Sequence, residues 1–256
     1  MPKCSLYVEL IDHTAFPVST IAKASRLCYS AAHVDELSER LGPGGEEKQL
    51  ERLMAMGHLS PIEHASFTFA VEGVSRALLA QITRHRIASF SVQSQRYVKA
   101  DALNYILPPS VEALGEEAVA EFEAQMKTIE SWYQGWLDKG VEKEDARFVL
   151  PNAAETRMIL TMNARELMHF FHLRCCTRAQ WEIRALAWAM LGLARKAAPA
   201  LFEDAGPSCL AGPCPEGKMT CGKMLDIRKK SESFNELLKN PEFTGKDIID
   251  WAKQNA

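Results

Sequence analysis

Between Arg184 and Arg195 the chain runs for ten residues with hardly a polar atom: Ala-Leu-Ala-Trp-Ala-Met-Leu-Gly-Leu-Ala. This is about half the roughly 20 residues that a membrane span requires, and it reads instead as a helix buried on every side. Such a helix needs a protein body around it. A chain of 256 residues, 47% hydrophobic and 25% charged, has the balance of a globular protein with a sizeable core. The expected organisation is one large domain over residues 1–205. The Gly-Pro-rich segment 206–256 then reads as an extension of unknown role. The N-terminal residues reach charge too soon for a signal peptide, and an odd count of seven cysteines favours reduced thiols. A cytoplasmic protein without a membrane partner is expected.

The periodicities describe an α+β fold, a central sheet flanked by helices with one long helical segment. Residues 6–11 read as a strand and 20–32 as a helix with Ile21, Ala24, Leu27 and Cys28 along one face. A second helix is expected over 46–56. Ser60-Pro61-Ile62-Glu63 has the residues of a capping box. Phe67, Phe69 and Val71 alternate with polar neighbours as in a half-buried strand. Ser75 can cap the next helix, on which Gln81, Arg84 and His85 would share a face. A long helix is expected over 110–139, with Leu114, Phe122, Met126, Trp132 and Trp136 in its stripe. Residues 155–162 read as another strand. Asn163-x-x-Glu166 then caps a helix that places Arg165, His169 and His172 on one face. Residues 179–202 read as one apolar helix, and a short amphipathic helix is expected near 248–253.

The charge distribution is uneven. Eleven of the fifteen arginines lie between residues 76 and 195, where only four of the fifteen lysines occur. A guanidinium grips phosphate or carboxylate through paired hydrogen bonds and keeps its charge when partly buried, so this bias points to anionic ligands. Arg84-His85-Arg86, with Ser94 and Arg96 close behind, is the densest such cluster. Cations this crowded repel one another unless an anion intervenes.

Arg84-His85-Arg86 followed after seven residues by Ser94 resembles the R-H-R-x7-S signature of flavin-dependent thymidylate synthases. The resemblance extends to His58-x-Ser60-Pro61-x-Glu63-His64, to Arg147-x-x-Leu150-Pro151, and to Asn163-Ala164-Arg165 with His169, Leu173 and Arg174. Four blocks in the family's order cover about residues 58–184. Val92 stands where the family often carries a polar side chain. The resemblance implies FAD as cofactor, NADPH and 5,10-methylenetetrahydrofolate as co-substrates, and reductive methylation of dUMP to dTMP. It implies a homotetramer with shared sites. FAD would be gripped by Ser60, Arg84, His85, Arg86, Asn163, Arg165 and His169, and dUMP by Gln81, Arg84, Ser94, Arg96, Arg147 and Arg174. Arg174 would be the catalytic group, favouring negative charge on the uracil and so activating C5. That chemistry needs no cysteine nucleophile, and Cys175-Cys176 is not assigned one.

No G-x-G-x-x-G fingerprint is present, so the flavin phosphates must be held otherwise. Two rival readings draw on the same residues. A metal-dependent hydrolase could use His58, His64, His169, His172 and Glu63, although no regular ligand motif joins them and no metal is expected. A nucleic-acid-binding protein could use the arginines, but the net charge of -3 and the lack of interleaved aromatics oppose it. Cys209-x4-Cys214-x6-Cys221 does not match the regular paired zinc patterns and reads as buried or idle thiols.

Overall fold

The computed structural model describes residues 3–37, 44–98 and 104–255. Its sheet has four antiparallel strands, β1 (Tyr7–His13), β2 (Ser66–Ser75), β3 (Ala88–Val92) and β4 (Glu155–Asn163), in the order β1-β2-β4-β3. The longer helices are α1 (Pro17–Leu27), α2 (Gly45–Met56), α3 (Arg76–Ile82), α4 (Glu116–Asp138), α5 (Ala164–Arg174), α6 (Trp181–Ala197), α7 (Met224–Lys239) and α8 (Gly245–Asn255). The chain forms two compact units. One comprises Met1–Tyr7, Ala70–Arg84 and Phe90–Ile159; the other comprises Val8–Phe69, His85–Ser89 and Leu160–Ala256.

In the first unit, Tyr105, Leu107 and Met126 form a core with Val111, Val119, Phe122 and Ile129 packed against it. Tyr105 donates its hydroxyl proton to Glu123 at 2.9 Å, and burial, followed by that carboxylate, raises its pKa to about 12. The long helix expected over 110–139 is two pieces, a turn at Pro109–Glu112 and α4. Gly115 separates them at φ 100, a backbone region that favours glycine. The break throws Leu114 out to solvent, and Trp132 and Trp136 are also exposed. At Gly73, with φ 67, a Cβ would lie 2.0 Å from the Ser5 carbonyl oxygen. Only glycine permits that approach between β2 and the N-terminal segment.

The second unit is built around α6. Ala185, Leu186, Ala187, Trp188, Ala189, Met190, Leu191 and Ala194 are all buried, as the apolar run requires. The helix expected over 179–202 breaks at Ala198, and Pro199 opens a separate turn, Pro199–Phe202. Proline at the first helical position begins a helix more readily than it continues one. In α1, Ile21, Ala22 and Ser25 face inward while Leu27 and Cys28 are exposed. The helix starts before residue 20 and ends at Leu27, so the expected stripe runs past its end.

The segment after Phe202 contains two helices where one was expected. α7 and α8 press Phe234 and Trp251 together at 3.9 Å between ring centroids, and both rings meet Trp188 of α6 edge-on. Gly192 makes room for them, because a Cβ there would lie 2.6 Å from Ile248 and 2.7 Å from Phe234. Arg195, buried in α6, donates to the carbonyls of Phe202 and Ala205 and to the Ser231 hydroxyl. Phe234→Ala should therefore cost about 3–5 kcal/mol and lower the melting temperature by roughly 10 °C in scanning calorimetry. An unchanged melting curve would show that the C-terminal helices do not support α6.

Candidate functional site

The expected α5 is present, and its cap explains its register. The Asn163 side-chain oxygen accepts from the Glu166 backbone N–H at 2.9 Å, and the Ala164 N–H donates to the Ala65 carbonyl at 2.8 Å. Arg165, His169 and His172 then lie exposed on one face, while Glu166 and Phe170 turn inward. The Glu166 carboxylate meets the His85 Nδ1 at 2.9 Å, with both side chains almost wholly buried. Arg174 donates from Nε to the His85 Nε2 at 3.1 Å.

These contacts fix a proton. A guanidinium can only donate, so Nε2 carries the lone pair and the Nδ1–H donates to Glu166. Burial first, then the neighbouring Arg174 and His169, push the His85 pKa below its ordinary value; Glu166 opposes them. The ring is therefore neutral, wedged edge-on against Phe170. His85 has both nitrogens committed and reaches outward through Arg174. Sequence reasoning gave Glu166 only a capping role. A lone carboxylate three residues after a cap carries no signal that a distant histidine will claim it.

The capping box at Ser60 does not form. Ser60 has helical angles, φ -61 and ψ -40, and makes no side-chain cap bond; its carbonyl takes the Glu63 N–H instead. A capping hydroxyl needs the extended conformation that aims it along the helix. Ser60 remains exposed. Glu63 pairs with Arg165 at 2.5 Å, and among the described residues no group of three histidine, cysteine or acidic side chains is placed to hold a metal ion as the rival hydrolase reading would need.

In the first unit, Ser75 caps α3 by accepting from the Leu78 N–H at 3.0 Å. The shared helical face of Gln81, Arg84 and His85 is not observed, because α3 ends at Ile82 and the Thr83 hydroxyl donates back to the Leu79 carbonyl. Gln81 stays on the helix; Arg84 lies exposed beyond it. Ser94 accepts from the Arg96 N–H at 3.2 Å. Glu144 gathers two of the expected arginines, taking Arg96 Nε on its carboxylate at 2.7 Å and Arg147 Nε on its carbonyl at 2.9 Å. Burial and the proximity of Arg147 lower the Arg76 pKa. Arg76, which the sequence reading did not assign, thus lies within electrostatic reach of Arg147.

Arg84 and Arg86 are each exposed, and an anion beside Arg76 and Arg147 would relieve the repulsion between those two. Residues 9–200 match the family described as Thymidylate synthase complementing protein. The chain belongs to that family. The flavin-dependent thymidylate synthase of Geobacter sulfurreducens is 54% identical over 224 residues, covering 87% of this chain and 96% of its own. The enzyme of the same name from Pyrococcus furiosus is 41% identical over 239 residues, covering 90% and 98%. A crystal structure of PolB, a UMP/dUMP methylase from Streptomyces cacaoi bound with 5-Br dUMP, aligns with TM-score 0.69 and 27% identity. It covers 78% of this chain and 94% of PolB.

For this thymidylate synthase family member, the buried ring makes a pH prediction. The His85 pKa is lowered on folding, so the unfolded chain binds the extra proton first. Its stabilisation is complete above the ordinary 6.5 and is lost as pH falls below that value. Melting temperatures of the wild type and of His85→Asn, measured from pH 7.5 downward, should converge as acid is added. A constant gap would show that this ring does not titrate.

Proposed function

We propose that the Glu166–His85–Arg174 contact carries the chemistry by which this thymidylate synthase converts dUMP to dTMP. Bound FAD supplies the reducing equivalents, drawn from NADPH, and 5,10-methylenetetrahydrofolate supplies the carbon. The protein's part is to hold and to polarise. Gln81, Arg84, Ser94, Arg96 and Arg147 bind the nucleotide, with the guanidiniums on its 5'-phosphate. Arg96 exchanges Glu144 for the phosphate, an inexpensive step because the pair is exposed and such pairs are worth at most about 1 kcal/mol. Ser60, Arg84, Arg86, Asn163, Arg165 and His169 hold the flavin. His85 belongs to this set by resemblance, but its buried ring suits it better to positioning Arg174. Arg174 then stabilises negative charge on the uracil and activates C5.

The assembly we propose is a cytoplasmic homotetramer in which different subunits complete each site. The large side chains Phe16, Tyr29, Leu114, Trp132 and Phe148 are individually exposed and would be available to such contacts. Seven free thiols support the reducing compartment, and no helix among the described residues is long and apolar enough to cross a membrane. Residues 1–205 are proposed as the catalytic body, in keeping with a family match that ends at 200. Residues 206–256 are then its extension.

The test is selective damage. Arg174→Ala should lower methyl transfer by roughly 10² to 10³, the scale of losing one preorganised donor, while NADPH still reduces the flavin. Cys175 is buried, and burial pushes its thiol far above the usual range, so Cys175→Ser should keep dTMP formation within about tenfold. Equal loss of flavin reduction and methyl transfer in Arg174→Ala would place that arginine at the flavin. A folded, flavin-binding Cys175→Ser protein that made no dTMP would demand a cysteine nucleophile.

A further inference from the structure

Residues 175–180 join α5 to α6 and follow directly on Arg174. A helix ends in carbonyls that have no partner within it, and here side chains of the next helix take the carbonyls that follow. Trp188 donates from Nε1 to the Cys175 carbonyl at 3.2 Å. One nitrogen of Arg184, Nη1, donates to the carbonyls of Thr177 and Ala179, at 2.7 Å and 2.9 Å. Arg184 and Trp188 stand four residues apart and so share a face of α6. Gln180 fixes where that helix begins, since its side-chain oxygen accepts from the Glu182 and Ile183 N–H groups.

The C-terminal extension aims one of these donors. Trp188 is buried, with Phe234 of α7 and Trp251 of α8 set edge-on to it at 5.9 Å and 5.4 Å between ring centroids. A ring packed from several sides keeps one rotamer, so its N–H points to one place. The extension also meets the segment directly, where Arg178 donates to the Met219 carbonyl at 3.2 Å and pairs with Glu216.

Arg174 stands at the head of this clamped segment. Its side chain is tied to His85, and its backbone is the last residue of α5, next to the carbonyl that Trp188 holds. An electrostatic donor acts at full strength only where it is preorganised, and a displacement of about 1 Å can cost roughly 10²-fold in rate. The His85 contact alone leaves the torsions of a long side chain to absorb any movement of the backbone. The grip on residues 175–179 removes that movement.

We propose that Arg184 and Trp188 are positioning residues for Arg174, and that the extension, residues 206–256, serves the reaction by seating Trp188. This rests on the reading in which Arg174 activates the uracil. It gives the extension a part in catalysis without placing any of its side chains against substrate.

The test measures methyl transfer and flavin reduction by NADPH separately, in single turnovers of FAD-loaded, full-length protein. Trp188→Phe keeps an aromatic ring against Phe234 and Trp251 but has no N–H; it should slow methyl transfer about tenfold and leave flavin reduction within about twofold. Trp251→Leu, which loosens the seat, should slow methyl transfer at least about threefold with the same selectivity. Arg184→Met should behave like Trp188→Phe, and Arg184→Lys, which still donates to carbonyls, should recover most of the rate. Added to Arg174→Ala, none of these changes should cost more than about twofold further. Losses that multiply with that of Arg174→Ala, or that reach flavin reduction equally, would overturn the proposal and leave the clamp a role in folding alone. Undiminished methyl transfer in folded Trp188→Phe and Arg184→Met would also overturn it. Undiminished methyl transfer in Arg174→Ala would instead remove the reading beneath it, and the proposal with it. Should Trp188→Phe fail to fold, the two variants at the half-buried Arg184 decide.

Discussion

A carboxylate taken out of water is costly unless ionic hydrogen bonds replace its hydration, and Glu166 meets that condition through His85. The imidazole in turn has a donor on one side and an acceptor on the other, at 2.9 Å and 3.1 Å. Reversing its tautomer would set two N–H groups against each other at Arg174 and leave Glu166 facing a lone pair. One protonation state is thus built into the fold. Phe170 holds the ring edge-on, and the Asn163 cap fixes the helix from which Glu166 and Arg174 both project.

The same economy explains the arrangement around α6. A helix buried on every side has no surface of its own, so what covers it decides its stability. The C-terminal helices provide part of that cover through Trp188, Phe234 and Trp251. Lys230 lies over the rings of Trp188 and Trp251, and its burial there brings its pKa down to about 8. The extension is therefore tied into the core through α7 and α8, and the connection before them is held by Arg228, which donates to the carbonyls of Cys209 and Gly212, and by Arg178, which donates to the Met219 carbonyl.

Much of this was legible in the sequence because it rests on local chemistry. The Asn163 cap, the outward face of Arg165, His169 and His172, and the buried run at α6 each follow from periodicity or from a residue beside its own partner. The misses share a cause. Gly115 and Pro199 break helices that periodicity extends through them, and Thr83 ends α3 immediately before Arg84 and His85 could join its face. Glu166 acts on a residue 81 positions away, a separation at which spacing says nothing. Arg76 gained its place only because folding brings Arg147 to it.

The claim that Arg174 owes its placement to a buried carboxylate is tested most directly by a double-mutant cycle on Glu166 and Arg174. Methyl-transfer rates would be measured with FAD-loaded wild type, Glu166→Ala, Arg174→Ala and the double variant. If Glu166 works through Arg174, the double variant should be scarcely slower than Arg174→Ala alone, and Glu166→Gln, which still accepts from the His85 Nδ1–H, should recover most of the rate. Losses that simply multiply, or equal losses in Glu166→Gln and Glu166→Ala, would contradict the account.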